Sequence, residues 1–368
     1  MLIGIDARLW NQTGVGRYIR NLVTNLNVLD KKNSYVLFIR SEDEWQVKKG
    51  LGLNFKVVIC NIKWHSLKEQ IQFASFLNFY KLDLMHFPYF SVPFLYRKKF
   101  IVTVHDLIIN KFNTGKASTL PYPLYLTKRF GYKFILSNAL RNSQKIIVPS
   151  IAIKNDLVLN YKKIPQQKIE VTYEGAFEEN NYINKKLIDG DYLLRVGNFY
   201  PHKNVKTLLR AFKNLNNKNL KLVLVGKKDF FYNQILFTVQ NLNIENKVIF
   251  LENPNDENLF ALYKNAKATI VPSFMEGFSL TAVEAMSIGS PLIVSDIKVH
   301  REICKTEAFY FNPEDELDLQ TKIKKVLVLS QNQREALIEN EIKRSKVFSW
   351  KKMTKETLKV YESSISLR

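Results

Sequence analysis

The stretch Glu276-Gly277-Phe278-Ser279-Leu280-Thr281-Ala282-Val283-Glu284-Ala285-Met286 lies between two apolar runs, Ala268 to Val271 and Pro291 to Val294. Their length and β-branched content predict buried strands, and the segment Leu280 to Ile288 between them predicts a helix. Strand, loop, helix, strand is the unit of a parallel sheet with right-handed crossovers. Gly277, Phe278 and Ser279 can expose consecutive backbone N–H groups at the helix start, where orphan donors and the helix dipole favour an anion. Glu276 then precedes the helix, and Glu284 lies in its second turn. The first carboxylate can accept hydrogen bonds from sugar hydroxyls and the second from a ribose diol, with a diphosphate between them on the amides. That arrangement describes a nucleotide-sugar site. The competing reading makes Glu276 a solvated loop charge and Glu284 an ordinary exposed helix residue.

Outward from this stretch the same alternation fills the chain. Strand-like runs precede it at Leu2 to Asp6, Tyr35 to Ile39, Phe55 to Cys60, Leu84 to Phe87, Phe100 to Val104, Lys145 to Val148 and Lys168 to Val171. Amphipathic stretches lie between several of them. Arg17 to Leu29 puts Tyr18, Ile19, Leu22, Val23 and Leu26 on one face, Pro121 to Arg141 reads similarly, and Ile151 to Asn160 follows the good N-cap Ser150. The polar interval Glu174 to Asp191 has few core-forming residues and is the expected hinge. Strands then restart at Tyr192 to Val196, Leu220 to Val225 and Lys247 to Leu251, with helices at Val205 to Asn214, Phe230 to Leu242 and Glu257 to Asn265. Further helices are expected near Pro313 to Leu329, Gln331 to Lys346 and from Trp350 through Tyr361. At 368 residues the chain exceeds one ordinary core. The expected organisation is therefore α/β with two Rossmann-like domains, 1–175 and 190–348, facing across a cleft, and a terminal helix in 349–368. Ligands of such sheets bind beyond the carboxyl ends of the strands.

Composition narrows the class. Cys60 and Cys304 are the two cysteines, far apart and without metal-type spacing, so neither a disulfide framework nor a zinc site is indicated. Asp6 interrupts what would be the apolar core of a signal peptide, and no apolar stretch reaches spanning length. The expected location is cytoplasmic, or peripheral on the inner face of the cytoplasmic membrane. Net charge is +21, and residues 1–180 hold 26 Lys and Arg against 13 Asp and Glu. Clusters such as Tyr96-Arg97-Lys98-Lys99-Phe100, Lys128-Arg129 and Lys162-Lys163 suit an anionic membrane surface or a merely solubilising one. The basic residues are dispersed and no nucleic-acid motif accompanies them, so nucleic acid is not an expected partner.

Three further constellations carry chemistry. Thr13-Gly14-Val15-Gly16-Arg17 follows the first strand and opens the first helix, where glycine permits close backbone approach to an anion or sugar, or simply a turn packing helix on strand. Ile19 stands where a dinucleotide fingerprint has its third glycine, and no acid ends the next strand, so a nicotinamide enzyme is disfavoured. Val102-Thr103-Val104-His105-Asp106-Leu107 ends an apolar strand with His105 and Asp106, which need partners there. Arg195 to Asn204 closes the first strand of the second domain and enters a helix, with Lys203 in reach of a diphosphate at that helix start.

In combination these motifs resemble the family 4 retaining glycosyltransferases of the GT-B fold, and bacterial cell-surface polysaccharide mannosyltransferases among them. The likeness covers nearly the whole chain. It rests on the glutamate-x7-glutamate pair Glu276 and Glu284, on Thr-Val-His-Asp at 103–106 and on the glycine loop. It implies that Glu276, Lys203 and His105 serve catalysis, His105 by orienting the donor sugar, and that Asn198, Gly277, Phe278, Ser279, Leu280 and Glu284 bind the donor. It also implies an acceptor or phosphate loop at Gly14, Val15 and Gly16, with Asp106, and a last helix crossing back onto the N-terminal domain. Relatives often have an arginine where this chain has Asn198, so more of the leaving-group charge falls to Lys203, with Arg195 and His202 as candidates to compensate. Leu251-Glu252-Asn253-Pro254 occupies the loop where relatives hold the nucleobase, without their usual glycine, so the base stays open. The resemblance implies no cofactor and no metal. It implies transfer of a hexose with retention, from GDP-mannose first or a UDP-sugar next, to a lipid-linked glycan of lipopolysaccharide, O-antigen or capsule. Two other classes remain: an epimerase or phosphorylase of the same fold, and a non-catalytic protein bound to the membrane surface.

Overall fold

Runs of β-branched and aromatic residues too short to be helices pair as parallel strands throughout. The computed structural model describes residues 1–108, 122–177, 182 and 185–366. One unit holds the described residues up to Gly175 and those from Ser349 onward, and the other holds those from Ala176 to Phe348. In the first, β1 (Leu2–Asp6), β2 (Ser34–Ile39), β3 (Phe55–Ile59), β4 (Leu84–Phe87), β5 (Phe100–Thr103), β6 (Ile146–Val148) and β7 (Ile169–Val171) form a parallel sheet ordered β3-β2-β1-β4-β5-β6-β7. The central strands are buried along their length, which is why they read as continuous apolar runs rather than alternating ones. Helix α1 (Thr13–Leu29) buries Tyr18, Ile19, Leu22, Val23 and Leu26, the face its periodicity indicates. Helix α2 spans Tyr122–Asn142; Pro121, the expected first residue, lies outside the described residues. Helix α3 (Ile151–Asn160) is capped by Ser150, whose side chain accepts the Ile153 N–H at 3.3 Å.

In the second unit β8 (Tyr192–Val196), β9 (Lys221–Val225), β10 (Val248–Leu251), β11 (Ala268–Val271), β12 (Leu292–Ser295) and β13 (Phe309–Phe311) are parallel in the order β10-β9-β8-β11-β12-β13. Both sheets therefore reverse direction beside their first strand, between β1 and β4 and between β8 and β11, the doubly wound arrangement in which a crevice opens at the strands' carboxyl ends. The helices are α4 (Val205–Asn214), α5 (Phe230–Asn241), α6 (Asp256–Asn265), α7 (Leu280–Ile288), α8 (Lys298–Cys304), α9 (Glu316–Leu327) and α10 (Gln331–Ser345). Strand β13 and helix α8 have no counterpart in the sequence reading, because three residues and seven residues are too few to show a period. Helix α9 starts later than Pro313 because Asp315 caps it, accepting from the N–H groups of Leu317 and Asp318.

The last helix, α11 (Trp350–Ser366), returns to the first unit and packs along α1. It fills a hole there: Met353, Thr357 and Tyr361 are fully buried, and the Tyr361 hydroxyl lies 2.8 Å from His86 Nδ1. Gly175 abuts its start so closely that a Cβ would lie 2.4 Å from the Trp350 ring.

Helix α10 carries one misfit. Glu341 is wholly buried, and while one carboxyl oxygen accepts the Leu292 N–H at 2.9 Å, Oε2 finds no hydrogen-bond partner among the described residues. Burial pushes this carboxyl well above the usual carboxylate range, against the Leu292 bond and the Arg334 charge, so it folds as the neutral acid. A raised folded value contributes stability that is complete below the unfolded value of about 4.3 and is lost as pH rises through the folded one. Glu341→Gln is expected to match the wild type near pH ~5 and to exceed it by about 1 kcal/mol near pH ~9, read as melting temperature against pH.

Candidate active site

The loops after β8 and β11 leave opposite sides of the second unit's switch point, and three contacts tie them together. The Phe274 N–H donates to the His202 carbonyl at 2.8 Å. Asn204, held in the left-handed region at φ 54°, donates its side-chain amide to the carbonyls of Pro272 (3.0 Å) and Pro313 (2.7 Å) and accepts from Thr207. Lys203, its chain neighbour, places Nζ 2.8 Å from both carboxylate oxygens of Glu276. The Ser273 hydroxyl donates to Glu276 Oε1 at 2.6 Å, so the carboxylate is held from two sides. Burial pushes the Glu276 carboxyl up, but the Lys203 charge and hydrogen bonds and the Ser273 hydroxyl outweigh it and hold the group at about 2. It is an ionised, acceptor-only group at neutral pH.

Helix α7 begins beside this pair. Ser279 sits at φ 75°, ψ 58°, a left-handed conformation costly for a residue with a Cβ, and its side chain does not cap the helix. The hydroxyl is used elsewhere: it lies 3.0 Å from His300 Nε2, while His300 Nδ1 lies 2.8 Å from the Ser295 carbonyl. A carbonyl only accepts, so Nδ1 carries the proton and Ser279 donates to Nε2. The strained residue is thereby locked from the α8 side, and its side chain puts no cap on the first turn of α7. Gly277 and Leu280 are partly exposed, whereas Phe278 is buried with its ring against Phe348 at 5.5 Å. Glu284 is 4% exposed, and its Oε2 accepts from the buried Tyr263 hydroxyl at 2.9 Å. Neither glutamate is the solvated surface charge of the competing reading.

Asn198 follows Gly197, whose φ of 124° suits glycine alone. Its Oδ1 has no hydrogen-bond partner among the described residues. Arg195 does not replace the missing arginine by reaching outward. It is 2% exposed, donates to the carbonyls of Gly197 and Asn198, and lies over the Phe199 ring. Burial brings this guanidinium down to about 10, still charged at neutral pH, so it braces the loop from beneath.

The remaining predicted residues belong to the first unit. Gly14, Val15 and Gly16 form the first turn of α1 itself. Gly14 is exposed with open space at its Cβ position, while a Cβ on Gly16 would lie 2.4 Å from the Trp10 carbonyl, so Gly16 is required for packing. Asp106 accepts the Ile108 N–H at 3.0 Å. His105 Nδ1 lies 3.0 Å from Glu174 Oε1 and its Nε2 3.0 Å from the Pro88 carbonyl. Both partners are acceptors, and the ring is held in place from both of its nitrogens. Behind it, Tyr18 packs edge-on at 4.9 Å, and His86 bonds both Thr103 and Tyr361. Burial holds His86 down at about 3, hence neutral.

Sequence reasoning missed Ser273, Asn204, Tyr263 and His300. Asn204, Tyr263 and His300 work through partners distant in sequence, Ser273 through Glu276 three residues on, and the separate hint, an asparagine where a left-handed residue is needed, is shared by many asparagines.

The family model for glycosyl transferases group 1 matches residues 178–344. The O-antigen chain mannosyltransferase RfbU of Salmonella typhimurium is 27% identical over 263 residues, 72% of this chain and 70% of that protein. The O-antigen chain mannosyltransferase B of Escherichia coli is 29% identical over 380 residues, covering 95% and 96%. Among solved structures, sucrose-phosphate synthase of Thermosynechococcus elongatus superposes with a TM-score of 0.80 over all of both chains at 18% identity, a likeness of fold.

Removing one member of the Lys203–Glu276 pair strands the other. Lys203→Met is expected to cost about 3 kcal/mol, the low end for a broken buried pair because the lysine keeps 22% of its side chain in water. Glu276→Gln added to it should restore part of that loss in a denaturant double-mutant cycle. Since the Glu276 carboxyl is depressed, its contribution is present above the unfolded value of about 4.3 and is lost as pH falls towards about 2. The cost of Glu276→Gln alone should shrink over that window.

Proposed function

The chain belongs to the glycosyl transferases group 1 family and is a glycosyltransferase; from that premise we propose that it moves a hexose from a nucleotide-sugar donor to a hydroxyl of a growing glycan, with retention at the anomeric carbon. GDP-mannose is the first donor to test and a UDP-sugar the next. The observation that carries the reading is the Lys203–Glu276 pair beside the uncapped, left-handed start of α7. The O-antigen chain mannosyltransferases similar to this chain support mannose as the sugar and a glycan chain of O-antigen type as the acceptor.

In this reading the donor diphosphate docks on the first-turn N–H groups of α7 and draws Lys203 from Glu276. The carboxylate is then free to accept hydrogen bonds from sugar hydroxyls. Glu284, its direction fixed by Tyr263, accepts from the ribose diol. Asn198 donates an uncharged hydrogen bond to phosphate above the loop that Arg195 braces. In the first unit, His105 orients the sugar through the position its Glu174 and Pro88 bonds give it, and Gly14, Val15, Gly16 and Asp106 serve the acceptor or phosphate side. Glu276, ionised down to about 2, cannot supply a proton. The acceptor oxygen bonds the anomeric carbon as the carbon–phosphate oxygen bond breaks, and the hydroxyl proton passes to the departing phosphate oxygen. Preorganised donors such as Lys203 and the helix start contribute about 3 kcal/mol each to such a transition state.

A thermal-shift panel of GDP-, UDP- and dTDP-sugars should single out one base, with stabilisation of about 2.7 kcal/mol at a hundred times its dissociation constant. With that donor, Glu284→Gln should weaken binding about tenfold, one lost hydrogen bond to a charged group. Lys203→Ala should instead lower kcat about a hundredfold. An epimerised donor, or normal kinetics in both variants, would overturn the assignment.

A further inference from the structure

Ser279 is held in a conformation that disfavours it by about tenfold, and the fold answers with a buried circuit of hydrogen bonds. Its carbonyl accepts the N–H groups of Ala282 at 2.9 Å and Val283 at 3.2 Å, so its dihedral angles set the direction of the first turn of α7. The Ser279 hydroxyl donates to His300 Nε2 at 3.0 Å, while the Nδ1–H of the same ring meets the Ser295 carbonyl at 2.8 Å and the Ser295 hydroxyl oxygen at 3.2 Å. That hydroxyl donates in turn to the Ser273 carbonyl, and the Ser273 hydroxyl to Glu276 Oε1. Ser273, Ser279, Ser295 and His300 are each no more than 5% exposed, so water hardly competes for these bonds.

The circuit carries a condition. Nε2 accepts only while the ring is neutral; a second proton makes it a donor and forces the Ser279 hydroxyl to turn its hydrogen away. The charged groups that reach the ring are Glu276 from the loop after β11, Lys203 from the loop after β8 and Asp296 from the end of β12. Asp296 is itself bound by Arg301 at 2.6 Å, and the Tyr310 hydroxyl on β13 donates to the His300 backbone carbonyl at 3.2 Å. Burial, opposed by the Glu276 charge and the Ser295 carbonyl, holds the imidazole below its ordinary value, so the ring is neutral at pH 7.

We propose that His300 is a positioning residue: through Ser279 it holds the first turn of α7 in the conformation that receives the donor diphosphate, and it releases that turn on taking up a proton. The proposal rests on the reading of α7 as the diphosphate site. His300 itself need touch no atom of the donor.

Glycine adopts a positive φ without cost, so it separates the lock from the site. In thermal unfolding of the ligand-free protein, His300→Leu should lower the melting temperature by about 3 °C more in the wild-type background than in a Ser279→Gly background. Calorimetric titration with GDP-mannose, and with UDP-glucose as the second probe, reads the consequence. His300→Leu should weaken binding of the nucleotide sugar that the wild type takes by about tenfold, and should add no further loss to Ser279→Gly. His300→Gln, whose amide oxygen can accept the Ser279 hydroxyl, should recover most of that loss. Wild-type affinity should fall between about pH 6.5 and about pH 4, a fall that His300→Gln removes, since a glutamine does not titrate. Glu276, held at about 2, keeps its charge over that window. Equal losses in both backgrounds, no loss in either, or an acid fall of the same size in His300→Gln would overturn the proposal. Failure of the wild type to bind either probe would overturn the donor reading, and with it the role given to the helix start, while coupling in the ligand-free protein would still assign the lock between His300 and Ser279.

Discussion

A lysine and a glutamate brought out of water together, Lys203 and Glu276, set the terms for the second unit's crevice. Desolvating two charges costs several kcal/mol each unless geometry returns it, so such a pair persists only where the surrounding chain holds both partners still. Here the holding is visible. Asn204 pins the lysine loop to the carbonyls of Pro272 and Pro313, Phe274 bonds the His202 carbonyl, and Ser273 binds the carboxylate. Arg195 supports the same loop from below at Gly197 and Asn198. A site prepared in this way spends little on ordering its own groups when a ligand arrives.

The first unit solves a related problem with different residues. At the carboxyl end of its central strands it stacks acceptors and donors in closed circuits: Asp6 and Glu69 around Arg8, Glu174 and Pro88 around His105, Thr103 and Tyr361 around His86. Each polar group of these circuits has its partner, as a low-dielectric interior demands.

Much of this was legible in the chain. The strands were marked by apolar runs bounded by turn residues, α1 by its period, and the α7 stretch by two glutamates flanking a glycine-led helix start. The parallel run of the strands followed from alternation and handedness, while their order within each sheet shows only in the fold. What stayed hidden depended on contacts across the fold. Glu284 reads as a ribose ligand or as an exposed helix residue, and nothing local says that most of α7 is buried or that Tyr263 will meet it. Gly16 reads as a ligand-binding glycine, and nothing local says that the carbonyls of Trp10 and Leu9 also leave no room for a Cβ there. Arg195 reads as a reserve cation for substrate and is instead consumed by its own loop. Strand β13 and helix α8, which brings His300 to Ser279, were too short to register as a period.

The return of α11 to the first unit has a consequence for synthesis on the ribosome. The helix that supplies Met353, Thr357 and Tyr361 to the first core is translated after the whole of the second unit. The unit that emerges first must therefore wait, with a groove along α1 unfilled, while the later one acquires all its strands and closes ahead of it. Order of emergence and order of completion are reversed in this chain, and the nascent N-terminal half is the part that most needs a chaperone's cover.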